Sequence, residues 1–544
     1  MTASGRDRAI AVAIAAIAMT VMIWPHLGYV PLWDGQVYAN CVMDAAFSEI
    51  SMESLRCAGH PSQGWALPLA LTQTFAPGSM AAIHLTNLLL GVVAVAAFRV
   101  VLARAFPDGA YARELDLVAL ACAVHPVVIS TLLQPNVDFG VYVYFFIALA
   151  GLLTPTIGGL ACALVGGTFL AFSKETGVAA YGAAVLAALG AEHIRSGLPL
   201  RARFSAIVRR GALLSLPVLL FATYVLHWAA NNPGNAIWKH GWQKSSADGF
   251  SFFDLSDPIF VSYAAGLGVL GFMWVVWIPV AIDGAKGLAR IARRPAPRGA
   301  PRGVAGADWP TLVSLTVMTA GLTYVLTSFR TWSNMRYFAL LYPLFLLLAY
   351  ASLHRLGFRP SVRRAVLVLV VGLFVLADYR SVDPLSRAVY GTFDTGVRRM
   401  YRMSSLTGEF EGPGRDQLVY NLEFTGYHHV QNALYERLQP TDATVIAAPS
   451  HVRWNIWSQL RTTSFVRSLR RDSVFAPIYA DEVDVAVRES PEAWFLDFSN
   501  RGYADSSLMN LLSQYHVADS IVVVARGQRL VAHHLVRHEA AVLP

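Results

Sequence analysis

Trp33-Asp34-Gly35-Gln36-Val37-Tyr38, a few positions beyond the apolar run Ala9 to Trp24, is the stretch on which the reading of this chain turns. The run is apolar over nearly the length of helix, about 20 residues, that crosses a bilayer. An acid just beyond it sits where the chain leaves the membrane. Ionisable groups at that depth are costly to hold, and they mark functional sites by default. The run follows Arg6 and Arg8, and no small-residue cleavage site precedes Pro25 and His26. It therefore reads as a retained span with its N-terminus in the cytoplasm, not as a signal peptide.

The rest of the chain agrees with a polytopic α-helical membrane protein. Of 544 residues, 55% are hydrophobic and only 14% are charged, against about 25% charged in soluble domains. Mean hydropathy is +0.45. The net charge of +8 does not form a basic stripe with interleaved aromatics, so a nucleic-acid partner is excluded. The basic residues cluster instead in short loops between apolar runs, as cytoplasmic loops do.

Eleven spans are expected, at 9–27, 80–103, 115–133, 139–153, 157–173, 177–191, 211–229, 259–282, 309–328, 337–353 and 365–378. In that register twenty Lys and Arg residues fall on the N-terminal side, with Arg195 to Arg210 and Lys286 to Arg302 as the densest groups. Six fall on the other side before the tail: Arg56, Lys174, Lys239, Lys244, Arg330 and Arg336. That imbalance makes the first side cytoplasmic, in a bacterial-type inner membrane. An odd number of spans sends the C-terminus out. Residues 1–378 form the membrane domain, and 379–544, rich in charge and without a spanning run, form an extracytoplasmic domain. Within the tail, 443–448, 493–498 and 520–525 read as buried strands, and Val430–Leu438 and Ser506–Tyr515 as helices, which suggests a small α/β domain.

The first outer loop, residues 28–79, carries apolar positions at helical spacing over Val37–Leu55, as amphipathic helices on a membrane surface do. It also holds Cys41 and Cys57. A disulfide between them suits an oxidising compartment; two free thiols are the other reading. Cys122 and Cys162 lie inside apolar runs.

Further polar groups reach the same face as Asp34. Gln134-Pro135-Asn136-Val137-Asp138 joins the third and fourth spans, and Ser173-Lys174-Glu175-Thr176 joins the fifth and sixth. Arg330 and Asn334-Met335-Arg336-Tyr337 precede the tenth. Each has a structural reading: Asp34 and Asp138 as helix caps, Lys174 and Arg336 as headgroup anchors. Their shared location favours a site. A carboxylate there can take a proton from an acceptor hydroxyl, and Lys and Arg can hold a phosphate and the charge it gains on leaving. Nucleotide sugars are absent from that compartment, so an activated sugar would arrive there on a lipid phosphate.

The order of these motifs resembles the GT-C membrane glycosyltransferases, in particular the protein O-mannosyltransferases and the 4-amino-4-deoxyarabinose lipid A transferases. Asp34-Gly35-Gln36-Val37-Tyr38 stands at the family's acidic motif after the first span, Asp138 at a second acid after the third, Ser173-Lys174-Glu175 at a Lys-bearing turn after the fifth, and Arg336-Tyr337 ahead of a span containing Pro343. The resemblance covers residues 1 to about 350 in layout. It implies Asp34 as acceptor-activating base and Asp138 as a positioning acid. Lys174, with Arg336 or Arg330, would hold the phosphate, and Tyr38, Glu175 and Tyr337 would contact substrate. The implied donor is a polyprenyl-phosphate sugar, and the implied acceptor an envelope glycan, lipid or protein. The reaction would be an inverting displacement.

A transporter or lipid flippase is the rival reading. Such proteins place their acids near mid-bilayer in broken helices and carry internal repeats; here the acids are at loop positions and no repeat is evident. His428-His429 and His533-His534 lack a third ligand at metal spacing, so no metal site is expected from them, while a divalent metal stays open as a reaction requirement.

Overall fold

The computed structural model describes residues 3–29, 34–196, 200–231, 258–293, 306–328 and 334–394. In the tail it describes 399–401, 421–425, 433, 437–438, 446–449, 475–479, 482–483, 490–497, 512–525 and 528–538. Among these residues the helices are α1 (Ala3–Ile23), α2 (Asp34–Phe47), α3 (Gln63–Phe75), α4 (Met80–Ala105), α5 (Ala112–Ala123), α6 (Pro126–Leu133), α7 (Val137–Leu152), α8 (Ile157–Ala171) and α9 (Glu175–Arg195). They continue with α10 (Leu200–Leu214), α11 (Leu216–Asn231), α12 (Pro258–Val269), α13 (Met273–Arg293), α14 (Trp309–Thr327), α15 (Leu341–Arg355), α16 (Pro360–Tyr379) and the short α17 (Pro384–Tyr390).

This is a multi-pass membrane protein, and every expected span falls on one of these helices or on a pair of them. Length separates them. Six are long and apolar enough to cross a bilayer unaided, and eight are if the bent pairs α5–α6 (47°) and α10–α11 (42°) each count as one. The remaining three, α7, α8 and α15, have 16, 15 and 15 residues. At 1.5 Å per residue that is roughly 24 Å, short of the ~30 Å hydrocarbon core. Hydropathy alone does not separate such helices from full spans. The first of them, α7, is buried along nearly its whole length, so protein and not lipid surrounds it. Around it packs one continuous apolar core, in which the rings of Phe98 and Phe146 meet edge to face at 5.2 Å.

One end of the bundle is an ion-pair layer. Arg363 holds Glu114 with two bonds of 2.8 and 3.1 Å, and Tyr350 donates to the same carboxylate at 2.9 Å. Arg99 pairs with Asp116 at 2.7 Å, Arg355 with Asp283 at 3.2 Å, and Arg195 with Asp308. These arginines all belong to the set expected on the cytoplasmic side.

Toward the other end, the expected 259–282 span breaks. Gly271 (φ 62°) and Phe272 (φ 69°) both take left-handed backbone, costly for a bulky residue such as Phe272. Asp383, in the link after α16, accepts from the Phe272 N–H at 2.9 Å and the Trp274 indole N–H at 3.0 Å. The link thereby holds the break in place.

The tail holds a short hairpin, β1 (Thr392–Asp394) with β2 (Arg399–Tyr401), and a six-stranded mixed sheet. Its strands are β3 (Ile446–Pro449), β4 (Phe475–Tyr479), β5 (Glu482–Val483), β6 (Glu492–Asp497), β7 (Tyr515–Ala525) and β8 (Gln528–Arg537), in the order β5-β4-β3-β6-β8-β7. β3 pairs in parallel with β4 and β6, whereas β8 pairs antiparallel with β6 and β7. The expected strands thus map onto β3, β6 and β7. Much of 430–438 and 506–511 lies outside the described residues; Tyr515, expected to end a helix, opens β7 instead. His533 and His534 lie on β8, where His533 meets Ser520 at 2.8 Å and His534 meets Glu492 at 3.1 Å; His428 and His429 lie outside the described residues. The tail also grips the bundle: Glu423 accepts from the Ser381 hydroxyl at 2.8 Å, and Thr425 meets His26 at 3.0 Å.

Candidate active site

Two helices form between α1 and α4: α2, where the apolar residues from Val37 recur at helical spacing, and α3, which starts at Gln63 beyond the expected stretch Val37–Leu55, whose residues 48–55 are not helical. A disulfide joins Cys41 on α2 to Cys57 in the turn before α3, with the Cα atoms 5.6 Å apart. The Ser62 hydroxyl accepts from the Cys57 N–H at 2.6 Å and donates to the Leu55 carbonyl at 2.7 Å, which closes the loop between the helices. Tyr38 on α2 meets Trp65 on α3 edge to face at 5.8 Å.

Two glycines let this layer descend onto the bundle. A Cβ on Gly140, in the first turns of α7, would stand 2.6 Å from the Trp65 Cβ; one on Gly64 would stand 2.1 Å from the Phe169 carbonyl oxygen. At that approach the Gly64 N–H donates to the Phe172 carbonyl at 2.8 Å. The start of α3 is therefore seated on the 173–175 turn.

Beside that turn three charged groups meet. Asn136 caps α7 by accepting from the N–H groups of Asp138 (3.0 Å) and Phe139 (3.3 Å), so Asp138 is not the cap. Its carboxylate accepts from Lys174 Nζ at 2.7 Å and from Arg336 Nε at 3.1 Å. All three are largely enclosed, with side-chain exposures of 6%, 13% and 3%. Burial by itself would lower the pKa of Lys174, but the adjoining Asp138 carboxylate outweighs it and holds the ammonium above its ordinary value. Lys174 also lies 4.2 Å over the Tyr337 ring. Two cations against one carboxylate leave this trio with a net positive charge.

At its more exposed edge is a fourth contact. His60 Nδ1 lies 3.1 Å from both oxygens of Glu175, and its ring is 6.5 Å from that of Tyr38. Elsewhere in the bundle an apolar cavity of about 600 Å³ opens between α12, α13, α14 and α15. Thr316, Thr319, Thr323 and Thr327 line it. Each donates its hydroxyl to a carbonyl of its own helix at 2.7–2.8 Å, so the stripe offers the cavity hydroxyl oxygens only as acceptors. One wall of the cavity, α12, carries Gly266 against the side chain of Met335, next to Arg336 in sequence.

The whole architecture matches ArnT from Cupriavidus metallidurans in the apo state. The match covers 96% of this chain and 97% of that one, with a TM-score of 0.51 at 14% identity. The chain has the fold of the GT-C membrane glycosyltransferases. The same protein bound to undecaprenyl phosphate aligns over 98% of each chain at a TM-score of 0.50. A weaker likeness, with a TM-score of 0.40, reaches the archaeal oligosaccharyltransferase AglB from Archaeoglobus fulgidus over 83% of this chain and 63% of that one. No protein-family profile and no curated protein matches the sequence.

Within this GT-C fold the expected residues separate into groups. Asp138, Lys174, Arg336 and Tyr337 come together as one cluster. Glu175 is engaged by His60, and Tyr38 lies against His60 and Trp65. Asp34 opens α2 one turn before Tyr38; its side chain, like Arg330, lies outside the described residues. Among the described residues no three His, Cys, Asp or Glu side chains gather as a metal site. His60, Asn136 and Trp65 were not expected. His60 and Glu175 are 115 residues apart, and no spacing rule links them. The capping role of Asn136 could have been read from its place immediately before an apolar helix that carries Asp138 in its first turn.

Proposed function

We propose that this chain is an inverting glycosyltransferase that moves a sugar from a polyprenyl-phosphate donor to an acceptor on the extracytoplasmic face of a bacterial-type inner membrane. The observation that carries the reading is the buried Asp138–Lys174–Arg336 cluster, in a bundle that also holds an apolar cavity between its membrane helices. A polyprenyl phosphate needs that pairing: net positive charge for the headgroup, and apolar walls for the chain. The described complex of ArnT with undecaprenyl phosphate, a protein of the same fold, supports the same reading.

In this scheme Lys174 and Arg336 hold the phosphate and take up the charge it gains as it leaves. Asp138 fixes both cations in one geometry, and Tyr337 packs beneath Lys174. Asp34, one turn before Tyr38 on α2, removes the acceptor's proton. The acceptor is an envelope glycan, lipid or protein, and the tail, gripping the bundle through Ser381 and His26, stands on its side.

Membranes bearing wild type or Asp34→Asn, given a panel of radiolabelled polyprenyl-phosphate sugars, test the reading. Transfer by wild type and loss of about a hundredfold in the variant are expected. Equal turnover would remove Asp34 from the chemistry. No transfer from any donor, with lipid or solute movement in proteoliposomes, would favour a transporter. Repeating the assay with a chelator decides the metal requirement.

A further inference from the structure

The His60–Glu175 pair has no part in the scheme above, yet it borders the cluster that holds the phosphate. A carboxylate only accepts, so His60 Nδ1 carries the proton it shares with Glu175 at 3.1 Å. Its other nitrogen, Nε2, has no hydrogen-bond partner among the described residues, and the side chain is 35% exposed. That is the geometry of a carboxylate-oriented imidazole whose far nitrogen is open to a further partner. Asp138, by contrast, is committed to two cations.

Charge counting says what the imidazole is for. The Asp138–Lys174–Arg336 trio carries one net positive charge, which meets the single charge of a bound phosphodiester, while the charge of Glu175 is met by His60 as an imidazolium. A departing phosphate gains a second negative charge that the trio does not meet, and an imidazole is the side chain most often used to supply a proton at such a point. From the geometry and this balance, and resting on the glycosyl-transfer reading, we infer that His60, oriented by Glu175, is the general acid that protonates the leaving phosphate. As the bond from the anomeric carbon to the phosphate oxygen breaks, its electron pair stays on that oxygen, which takes the proton that the His60 imidazolium carries on Nε2, leaving the neutral imidazole with its proton on Nδ1. The anomeric carbon bonds to the acceptor oxygen, whose proton passes to Asp34 and returns through water to His60. The groups around the imidazole are Glu175 and Lys174 from the turn into α9 and Tyr38 from α2. Arg56 stands on its own loop, donating to the Gly59 carbonyl at 3.4 Å.

The test is the pH profile of kcat/KM for transfer, in membranes bearing wild type, His60→Gln, His60→Lys and Glu175→Gln at equal protein level. Wild type loses rate on the alkaline side of the profile, where His60 has given up its Nε2 proton. His60→Gln falls about a hundredfold and loses that limb. Lysine keeps a positive charge but does not release its proton near neutrality, so His60→Lys stays as impaired as His60→Gln. Glu175→Gln retains a limb displaced to lower pH. Transfer by His60→Lys at the wild-type rate would reduce the residue to a charge, and an unaltered profile in His60→Gln would remove it from the reaction; either overturns this inference and leaves the glycosyl-transfer reading standing. Absence of transfer by wild type at every pH overturns both.

Discussion

Asp138 and Arg336 are 198 residues apart in the chain and 3.1 Å apart in the fold. Their bond ties the first turn of α7 to the turn that enters α15. Lys174, on the same carboxylate, adds the turn before α9. One acid therefore sets the relative positions of three helix ends at the mouth of the bundle. Removing it has consequences beyond chemistry.

Asp138→Ala leaves two enclosed cations without their counter-charge. Breaking a buried pair by removing one partner costs about 3–5 kcal/mol. Thermal unfolding of the detergent-solubilised variant is expected to show that loss, together with loss of sugar transfer. A variant as stable as wild type would mean that water or another anion compensates the two cations.

The Lys174–Asp138 pair also has a defined pH window. Its folded pKa lies above the ordinary lysine value of 10.5. A raised folded value means the stabilisation is fully present below that ordinary value and is lost as pH climbs through the folded one. The Tm difference between wild type and Lys174→Met is therefore constant from about pH 6 to about pH 9 and narrows only above about 10.5. A difference that shrinks between about pH 7 and 9 would contradict the pairing.

Gly140→Ala tests the seating of the outer loop. Its new methyl would stand 2.6 Å from the Trp65 Cβ, a distance that forces α3 away from α7. Overpacking of this kind costs about 1–3 kcal/mol. Because α3 also seats the His60 segment on the 173–175 turn, transfer activity falls along with Tm. Gly182→Ala, with open space around its Cβ, is the control and is expected to leave both unchanged.

The Cys41–Cys57 bridge closes a loop with a sequence separation of 16. Chain entropy alone assigns a loop of that size roughly 3 kcal/mol. Reduction, or the double change Cys41→Ser and Cys57→Ser, is expected to open residues 34–59 to proteases while the membrane helices stay protected. Unchanged cleavage would show that packing of Tyr38 on Trp65 holds the loop without the bridge.

How much of this was legible beforehand differs by level. The helix order followed from apolar runs, and each expected span coincides with a helix or a helix pair. The bend before Pro126 sits at a residue that ends or kinks helices. The break at Gly271 and Phe272 carried no comparable signal, because it depends on Asp383, 111 residues away, accepting from the Phe272 N–H. At the site, Asp138, Lys174, Arg336 and Tyr337 could each be singled out as polar groups at one membrane face. Glu175, expected as a substrate contact, also holds His60, a pairing that no sequence spacing announced.

Membrane class and helix order were set by the sequence alone, because hydropathy acts on each segment through the surrounding solvent and needs no neighbour. Which charges meet was decided only by the tertiary structure. An ion pair needs atoms within about 4 Å, and here the partners lie 36, 115 and 198 residues apart. Only packing the helices, with Gly64 and Gly140 allowing the outer layer to settle on them, brings those groups within reach of one another.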